Sequence, residues 1–252
     1  MLNEAIESHS IVKHSNVKFI FYHIEKCAGT SLRHELYNYF SNCIDNTLIF
    51  FPEKSILDKT INLTHNNIQK INTIGYKYIQ YLYQIKVILC HISCNDTQFH
   101  FHPEFAITCI RNPISRVISH YNFFDKPTFQ KEFYELTDDE FDLWFRQKGN
   151  LMIFRLTNSH DNLLLAKQNL LKMNHVILFE NYDYDISILG NKLTNHFGHT
   201  FHYNHIQKNC NSKNHIQYSY VFIDKIISKL KDELELYYFY KKSKRRFKKL
   251  FS

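Results

Sequence analysis

Four short apolar runs punctuate the chain: Val17–Tyr22, Lys86–Cys90, Phe105–Ile110 and Val176–Phe179. Each is rich in Val, Ile and Phe and lacks the apolar–polar alternation of a half-exposed strand, which predicts strands covered on both faces. Between them, apolar positions recur at helical spacing. Leu32, Leu36, Tyr39 and Phe40 share one face after Thr30, and Ile114, Val117, Ile118 and Tyr121 form a continuous stripe after Pro113. Further helices are predicted across 129–147, 160–172, 184–197 and 219–240, whereas 51–82 has no pattern that places it. Buried strands alternating with helices predict an α/β fold, a parallel β-sheet flanked by helices. With no internal repeat and no linker, residues 1–240 read as a single domain followed by a basic C-terminal tail, 241–252.

Composition changes this picture in a few places. A chain of 252 residues, 44% hydrophobic and 22% charged, can build one sizeable core and is not disordered. The net charge of +7 is 31 basic residues against 24 acidic ones, and seven of the basic residues fall between Lys241 and Lys249. The rest of the chain therefore carries 24 of each sign, so the basicity belongs to the tail. That argues against a nucleic-acid-binding face on the domain, and no nucleic-acid partner is expected. Cations interleaved with Phe247, Leu250 and Phe251 suit peripheral contact with an anionic membrane surface; the plainer alternative is a solvated terminus. The N-terminal stretch MLNEAIESHSIVKHSNVK has no apolar core of a signal peptide, and no stretch approaches the roughly 18 apolar residues of a membrane-spanning helix. Cys27, Cys43, Cys90, Cys94, Cys109 and Cys210 are scattered and mostly lie in or beside apolar runs, which suits free thiols and a cytoplasmic location. The sequons at Asn62 and Asn95 carry little weight without a secretory signal.

The residue after each strand is where chemistry is expected, because ligands of open parallel sheets bind at the carboxyl ends of the strands. These positions hold His23 to Ser31, His91, Arg111-Asn112-Pro113 and Glu180. In the first group, the loop Glu25-Lys26-Cys27-Ala28-Gly29-Thr30-Ser31 leads into a helix. Unpaired N–H groups and the positive end of a helix dipole suit a phosphate there, with Lys26 as cation and the Thr30 and Ser31 hydroxyls as donors. It is not a Walker A loop, since Lys26 precedes Gly29; a plain helix cap beside a solvated lysine is the alternative. In the second group, Pro113 opens a helix on which Ser115 and Ser119 share a flank that Arg111 can meet. A guanidinium beside a hydroxyl at a helix start suits a second phosphate, the alternative being an arginine that ties off strand or helix ends.

Together the two segments resemble a known family. His23-Ile24-Glu25-Lys26-Cys27-Ala28-Gly29-Thr30-Ser31-Leu32 resembles the 5′-phosphosulfate loop, H-x-P-K-T-G/A-G-T-S-L, of sulfotransferases that use 3′-phosphoadenosine-5′-phosphosulfate (PAPS). Arg111 to Tyr121 resembles the 3′-phosphate segment, R-[DN]-P-x-x-R-x-x-S-x-Y, of the Golgi-type carbohydrate branch, the heparan 2-O-like enzymes among them. Asn150 to Leu156 is similar to that branch's N-x-x-x-R-x-L, with Arg155 one place late, and Ala166 to Glu180 to its helix–strand–Glu unit. Glu25 stands where the family has Pro, and Cys27 where it has Thr. Leu32 follows Ser31, where the aryl and steroid branch carries Trp, which favours a saccharide or glycan acceptor.

The resemblance implies a P-loop-like sulfotransferase fold and transfer of a sulfuryl group from PAPS to a carbohydrate hydroxyl by in-line displacement, with no metal. His91 would be the general base. Lys26 would stabilise the charge growing on the leaving phosphate. Lys26, Cys27, Ala28, Gly29, Thr30 and Ser31 would hold the 5′-phosphate, and Arg111 with Ser119 the 3′-phosphate. His120 and His23 compete with His91 for the role of base. Cys90, His91 and Cys94, with His100 and His102 nearby, also raise zinc, although no second CxxC pair accompanies them. Two other functions remain open: a kinase or other nucleotide phosphotransferase, for which no acidic metal-binding motif accompanies the loop, and a non-catalytic protein that binds through its tail.

Overall fold

The computed structural model describes residues 17–43, 48–50, 85–91, 93–94, 103–203 and 218–250, and for Thr30, 48–50, Ile85, Cys90 and 245–250 their backbone alone. The architecture is α/β. Strands β1 (Phe19–Tyr22), β2 (Leu48–Phe50), β3 (Ile85–Cys90), β4 (Phe105–Ile110) and β5 (His175–Leu178) form one sheet in the order β2-β3-β1-β4-β5, and every pairing is parallel. Phe19-Ile20-Phe21-Tyr22 is buried along its whole length, as a central strand covered on both faces must be. The predicted strands correspond to β1, β3, β4 and β5. β2, three residues long, is too short to leave a periodic signal.

The helices are α1 (Gly29–Cys43), α2 (Pro113–His120), α3 (Asp138–Lys148), α4 (Leu151–Thr157), α5 (Leu163–Lys172), α6 (Tyr182–Phe197), α7 (Tyr220–Lys229) and α8 (Lys231–Leu250). The single helix expected over 129–147 is broken. A π-helical turn (Tyr121–Asp125) and a short helical turn (Lys126–Phe129) extend α2, and Gln130 ends them in the left-handed region. α3 then starts afresh from a capping box, in which Thr137 Oγ1 accepts from the Glu140 N–H and the Glu140 carboxylate accepts from the Thr137 N–H. Phe133 and Leu136, between the two pieces, are buried anchors and not members of a helical stripe. The helix expected over 219–240 is likewise split, at Leu230, and its second half runs on to Leu250, so the basic stretch is helical as far as that residue. α4 was not among the expected helices, and 51–82 lies outside the described residues.

Two cores result. One joins the sheet to α1, α5 and α6 through residues such as Phe19, Phe40, Leu170 and Ile186. The other is an aromatic cluster in which Tyr121, Phe133, Phe141, Trp144 and Phe222 knit α2, α3 and α7 together. A fully buried ion pair fastens α2 to the rest. Arg116 Nη2 lies 3.2 Å from Glu233 Oε2 on α8 and also donates to the carbonyls of Lys148 and Gly149. Glu233 Oε1 accepts from the N–H of Met152 at 2.5 Å. Burial pushes the Glu233 carboxyl up, against the pull of Arg116 and the backbone N–H groups.

Removing one partner of such a pair strands a buried charge, so Arg116→Ala and Glu233→Ala should each cost about 3–5 kcal/mol in a urea unfolding titration. The double replacement Arg116→Met with Glu233→Leu should cost much less than the sum of the two single losses. Additive losses would show that the two side chains do not act as a pair.

Candidate active site

Strand register decides what stands at the carboxyl edge of the sheet. Tyr22 pairs with Cys90 on one side and with Thr108 on the other, and Ile110 pairs with Leu178. His23 and His91 therefore follow neighbouring strands at one level, while Arg111 and Glu180 follow β4 and β5 on the same edge. The two imidazoles stack with centroids 4.0 Å apart and planes at 26°. His91 Nδ1 lies 2.8 Å from the carbonyl oxygen of His23. A carbonyl only accepts, so Nδ1 carries the proton and Nε2 of the neutral ring keeps its lone pair. Burial is the largest influence on His91 and lowers its pKa below the ordinary imidazole value, although the Glu25 carboxylate raises it. The ring is thus a neutral base at neutral pH, and it remains partly open to solvent.

The loop between β1 and α1 is strained. Lys26 and Ala28 have φ of 63° and 64°. The other non-glycine residues with positive φ, Gln130 and Asn158, simply cap helix ends. A left-handed non-glycine residue costs about 1–3 kcal/mol and persists only where its surroundings over-determine it, typically at ligand sites. Left-handed residues alternating with others turn successive N–H groups into a concavity suited to an anion, here immediately before the N-terminus of α1. Gly29 is required by close approach: a Cβ on it would lie 1.8 Å from Cδ2 of His23. The His23 ring can yield to such a Cβ only at a cost in packing, because it is buried between Phe21 and His91. Its own pKa is driven well down, by burial first and then by His91, Arg33 and Arg155.

Arg111 reaches this loop: Nη1 donates to the carbonyl of Lys26 at 3.2 Å, and its guanidinium lies over the Phe179 ring at 4.4 Å. The Lys26 ammonium sits 3.8 Å from the centroid of Phe123, an exposed ring on the π-helical turn that also carries Phe124. Burial lowers the pKa of Lys26, and the nearby charge of Arg111 lowers it further. Among the described residues neither cation is paired with a carboxylate. Two partly buried cations of like sign at a strained loop are what an anionic ligand would complete.

The other expected residues are placed as follows. Cys27 is buried, and its thiol is pushed up to about 12 by burial, so position 27 can serve a ligand only through its backbone. Ser31 lies half-buried in the first turn of α1, and the side chain of Thr30 lies outside the described residues. Ser119 is half-buried on α2, two turns beyond Arg111, and no hydrogen bond joins the two among the described residues. α2 itself is seated by Asn112, whose side chain caps the Ser115 N–H at 3.2 Å and whose N–H is bound by Glu180 Oε1 at 2.7 Å. His120 is buried against Trp144 and Phe124, with Nε2 3.9 Å from Asp125, and burial lowers its pKa to about 4. His100, His102, Asn62 and Asn95 lie outside the described residues, as does the side chain of Cys90. Among the described residues no group of three or more His, Cys, Asp or Glu side chains is placed to hold a metal. No described helix is long and apolar enough to cross a membrane.

One pairing was not foreseen from the sequence. Arg155 on α4 forks onto Glu25, Nε to Oε2 at 3.2 Å and Nη2 to Oε1, and Nη1 donates to the His91 carbonyl at 2.7 Å. Glu25 Oε1 also faces His91 Nδ1 at 3.6 Å. Burial alone would raise the Glu25 carboxyl, but Arg155 outweighs it and holds the group at about 2. The available signal was a coincidence of two departures from the family pattern, an acid in place of the loop proline and an arginine one place late.

Replacing Gly29 with Ala should displace the His23 ring and cost about 1–3 kcal/mol by overpacking. Thermal unfolding and a histidine NMR spectrum would check it; an unchanged spectrum would mean the stack tolerates the methyl. The chain matches no protein-family model and no curated protein sequence.

Proposed function

We propose that the protein is a sulfotransferase that moves a sulfuryl group from PAPS to a carbohydrate hydroxyl. The observation that carries this reading is the pair of cations, Lys26 and Arg111, neither of them in an ion pair among the described residues, although the Glu180 carboxylate acts on Arg111 at longer range, and both converging on the strained loop before α1. Ser119 adds a hydroxyl on the helix that Arg111 precedes. In this reading the loop amides near Ala28 and Gly29, with Thr30 and Ser31, receive the 5′-phosphate. Arg111 and Ser119 receive the 3′-phosphate.

The reaction is an in-line displacement at sulfur. The acceptor oxygen forms a bond to sulfur while the bond from sulfur to the bridging oxygen breaks, and the electron pair leaves with adenosine 3′,5′-bisphosphate. The acceptor proton passes to Nε2 of His91, whose other nitrogen is committed to the His23 carbonyl. Lys26 stabilises the charge that grows on the leaving phosphate; to do so its ammonium leaves the face of Phe123 for the ligand.

Isothermal titration with adenosine 3′,5′-bisphosphate against ADP, with and without magnesium, tests the reading. The bisphosphate should bind far more tightly and without metal. Arg111→Ala should weaken it roughly ten- to a hundredfold, since a charge-assisted hydrogen bond contributes about 1.5–3 kcal/mol. Equal affinity for ADP, or binding that needs magnesium, would point to a nucleotide phosphotransferase. Turnover should rise with pH through a midpoint below 6.5, because burial favours the neutral form of His91 and the neutral form is the base. A midpoint unaffected by His91→Ala would assign the base elsewhere.

A further inference from the structure

We infer that Glu25, held in place by Arg155, is the positioning residue of His91: its carboxylate supports the imidazolium that forms when His91 accepts a proton. The inference rests on the sulfotransferase reading only for the identity of the proton donor. The geometry stands by itself. Nδ1 of His91 faces two acceptors, the His23 carbonyl at 2.8 Å and Glu25 Oε1 at 3.6 Å. The carbonyl selects the tautomer. The carboxylate adds what a carbonyl cannot, a full negative charge that gains in value as the ring becomes cationic. Arg155 fixes that carboxylate by a two-pronged bond and fixes the His91 backbone by a third, so one guanidinium sets the distance between carboxylate and ring.

Every charged group around His91 bears on the argument. From the β1–α1 loop come Glu25 and His23, from α1 the buried Arg33, and from α4 Arg155. Among the described residues only Glu25 is acidic. Burial, Arg155 and Arg33 all oppose protonation of His91, and Glu25 is the strongest influence that favours it. Because Arg155 keeps Glu25 ionised far below neutral pH, that support is present throughout the range in which an imidazole titrates. The proton taken from the acceptor hydroxyl thus rests on His91 Nε2, and Nδ1–H remains between carbonyl and carboxylate.

The test is histidine NMR of the full chain without nucleotide, following His91 through pH, on wild type and Glu25→Gln. The amide oxygen can still accept one bond from Arg155, and the Arg155 bond to the His91 carbonyl is untouched, so part of the clamp survives while the charge goes. The His91 titration should move to lower pH. A merely structural role predicts the opposite, since loosening the pocket admits water and moves the ring back up toward the free imidazole value. Glu25→Asp, which keeps the charge but retracts it, should move the titration less and in the same downward direction; it serves if Glu25→Gln does not fold. An unchanged or upward titration overturns the inference. In turnover assays Glu25→Gln should lower kcat roughly tenfold to a hundredfold, part of the ~10²–10⁴ that general-base catalysis contributes. Affinity for adenosine 3′,5′-bisphosphate should stay within about twofold, because Glu25 does not meet the nucleotide in this reading. Failure of the sulfotransferase reading would show in the titration with bisphosphate and leave the NMR result untouched.

Discussion

Tyr22 pairs with Cys90 and with Thr108 at one level of a parallel sheet, and the hydroxyl of Thr108 donates back to the Tyr22 carbonyl at 2.8 Å. This register sets every chemical group of the site. A slip of one residue in β3 would turn its side chains to the other face of the sheet and carry His91 away from His23. The stack of the two rings, the bond from His91 to the His23 carbonyl and the exclusion of any side chain at Gly29 all follow from that alignment. The buried aromatic run of β1 is what makes it stable: Phe19 and Phe21, two residues apart on one face of the sheet, lie wholly inside, and Phe19 meets Phe40 of α1 and Phe197 of α6 there.

Charge is distributed with the same selectivity. Three cations drawn into the fold meet carboxylates. Arg116 meets Glu233, Arg155 meets Glu25, and Lys244 meets the buried carboxylate of Asp185 at 2.5 Å. Lys26 and Arg111, at the strand ends, form no ion pair among the described residues and lie instead against aromatic faces, Phe123 and Phe179, with Glu180 acting on Arg111 at longer range. An aromatic face holds a cation by about 0.5–2 kcal/mol, less than a buried carboxylate would cost to displace. Such a partner can be exchanged for an incoming anion. The π-helical turn that brings Phe123 over Lys26 is the kind of irregularity that recurs at functional positions.

Much of this was legible in the sequence, and for identifiable reasons. Four strands could be read because continuous apolar runs of Val, Ile and Phe are rare outside buried strands, and once they were placed, their carboxyl ends named His23, His91, Arg111 and Glu180. α1 and α2 were legible from their stripes, and Pro113 from its fit to a first turn. Besides α4 and the break at Leu230, three features of this kind were not. β2 is too short to have a period. The break before α3 depends on a capping box at Thr137 and Glu140 that competes with an apolar pattern running across it. The bond between Glu25 and Arg155 joins residues 130 positions apart, and no local rule links them.

The C-terminal helix shows how the same physics alters the reading of a basic segment. Residues 241–252 read as a basic tail, suited to an anionic membrane surface or simply solvated, because cations accumulate there without acids nearby in sequence. In space the first of them are already engaged. Lys244 neutralises Asp185, whose Oδ2 also accepts from the N–H of Leu178 at 2.8 Å, and Lys241 lies over the Tyr237 ring at 5.6 Å. α7 ends at Lys229, and α8, beyond the break at Leu230, carries Glu233 to Arg116 and Lys244 to Asp185. One helix thus anchors both α2, which follows Arg111, and the end of β5, from which Glu180 caps α2. Segregated charge along a chain is therefore a poor guide to solvent-facing charge when a long helix can deliver it to a buried carboxylate: Lys244 braces the end of β5, the strand beside the one that Arg111 follows, while Lys242 stays exposed.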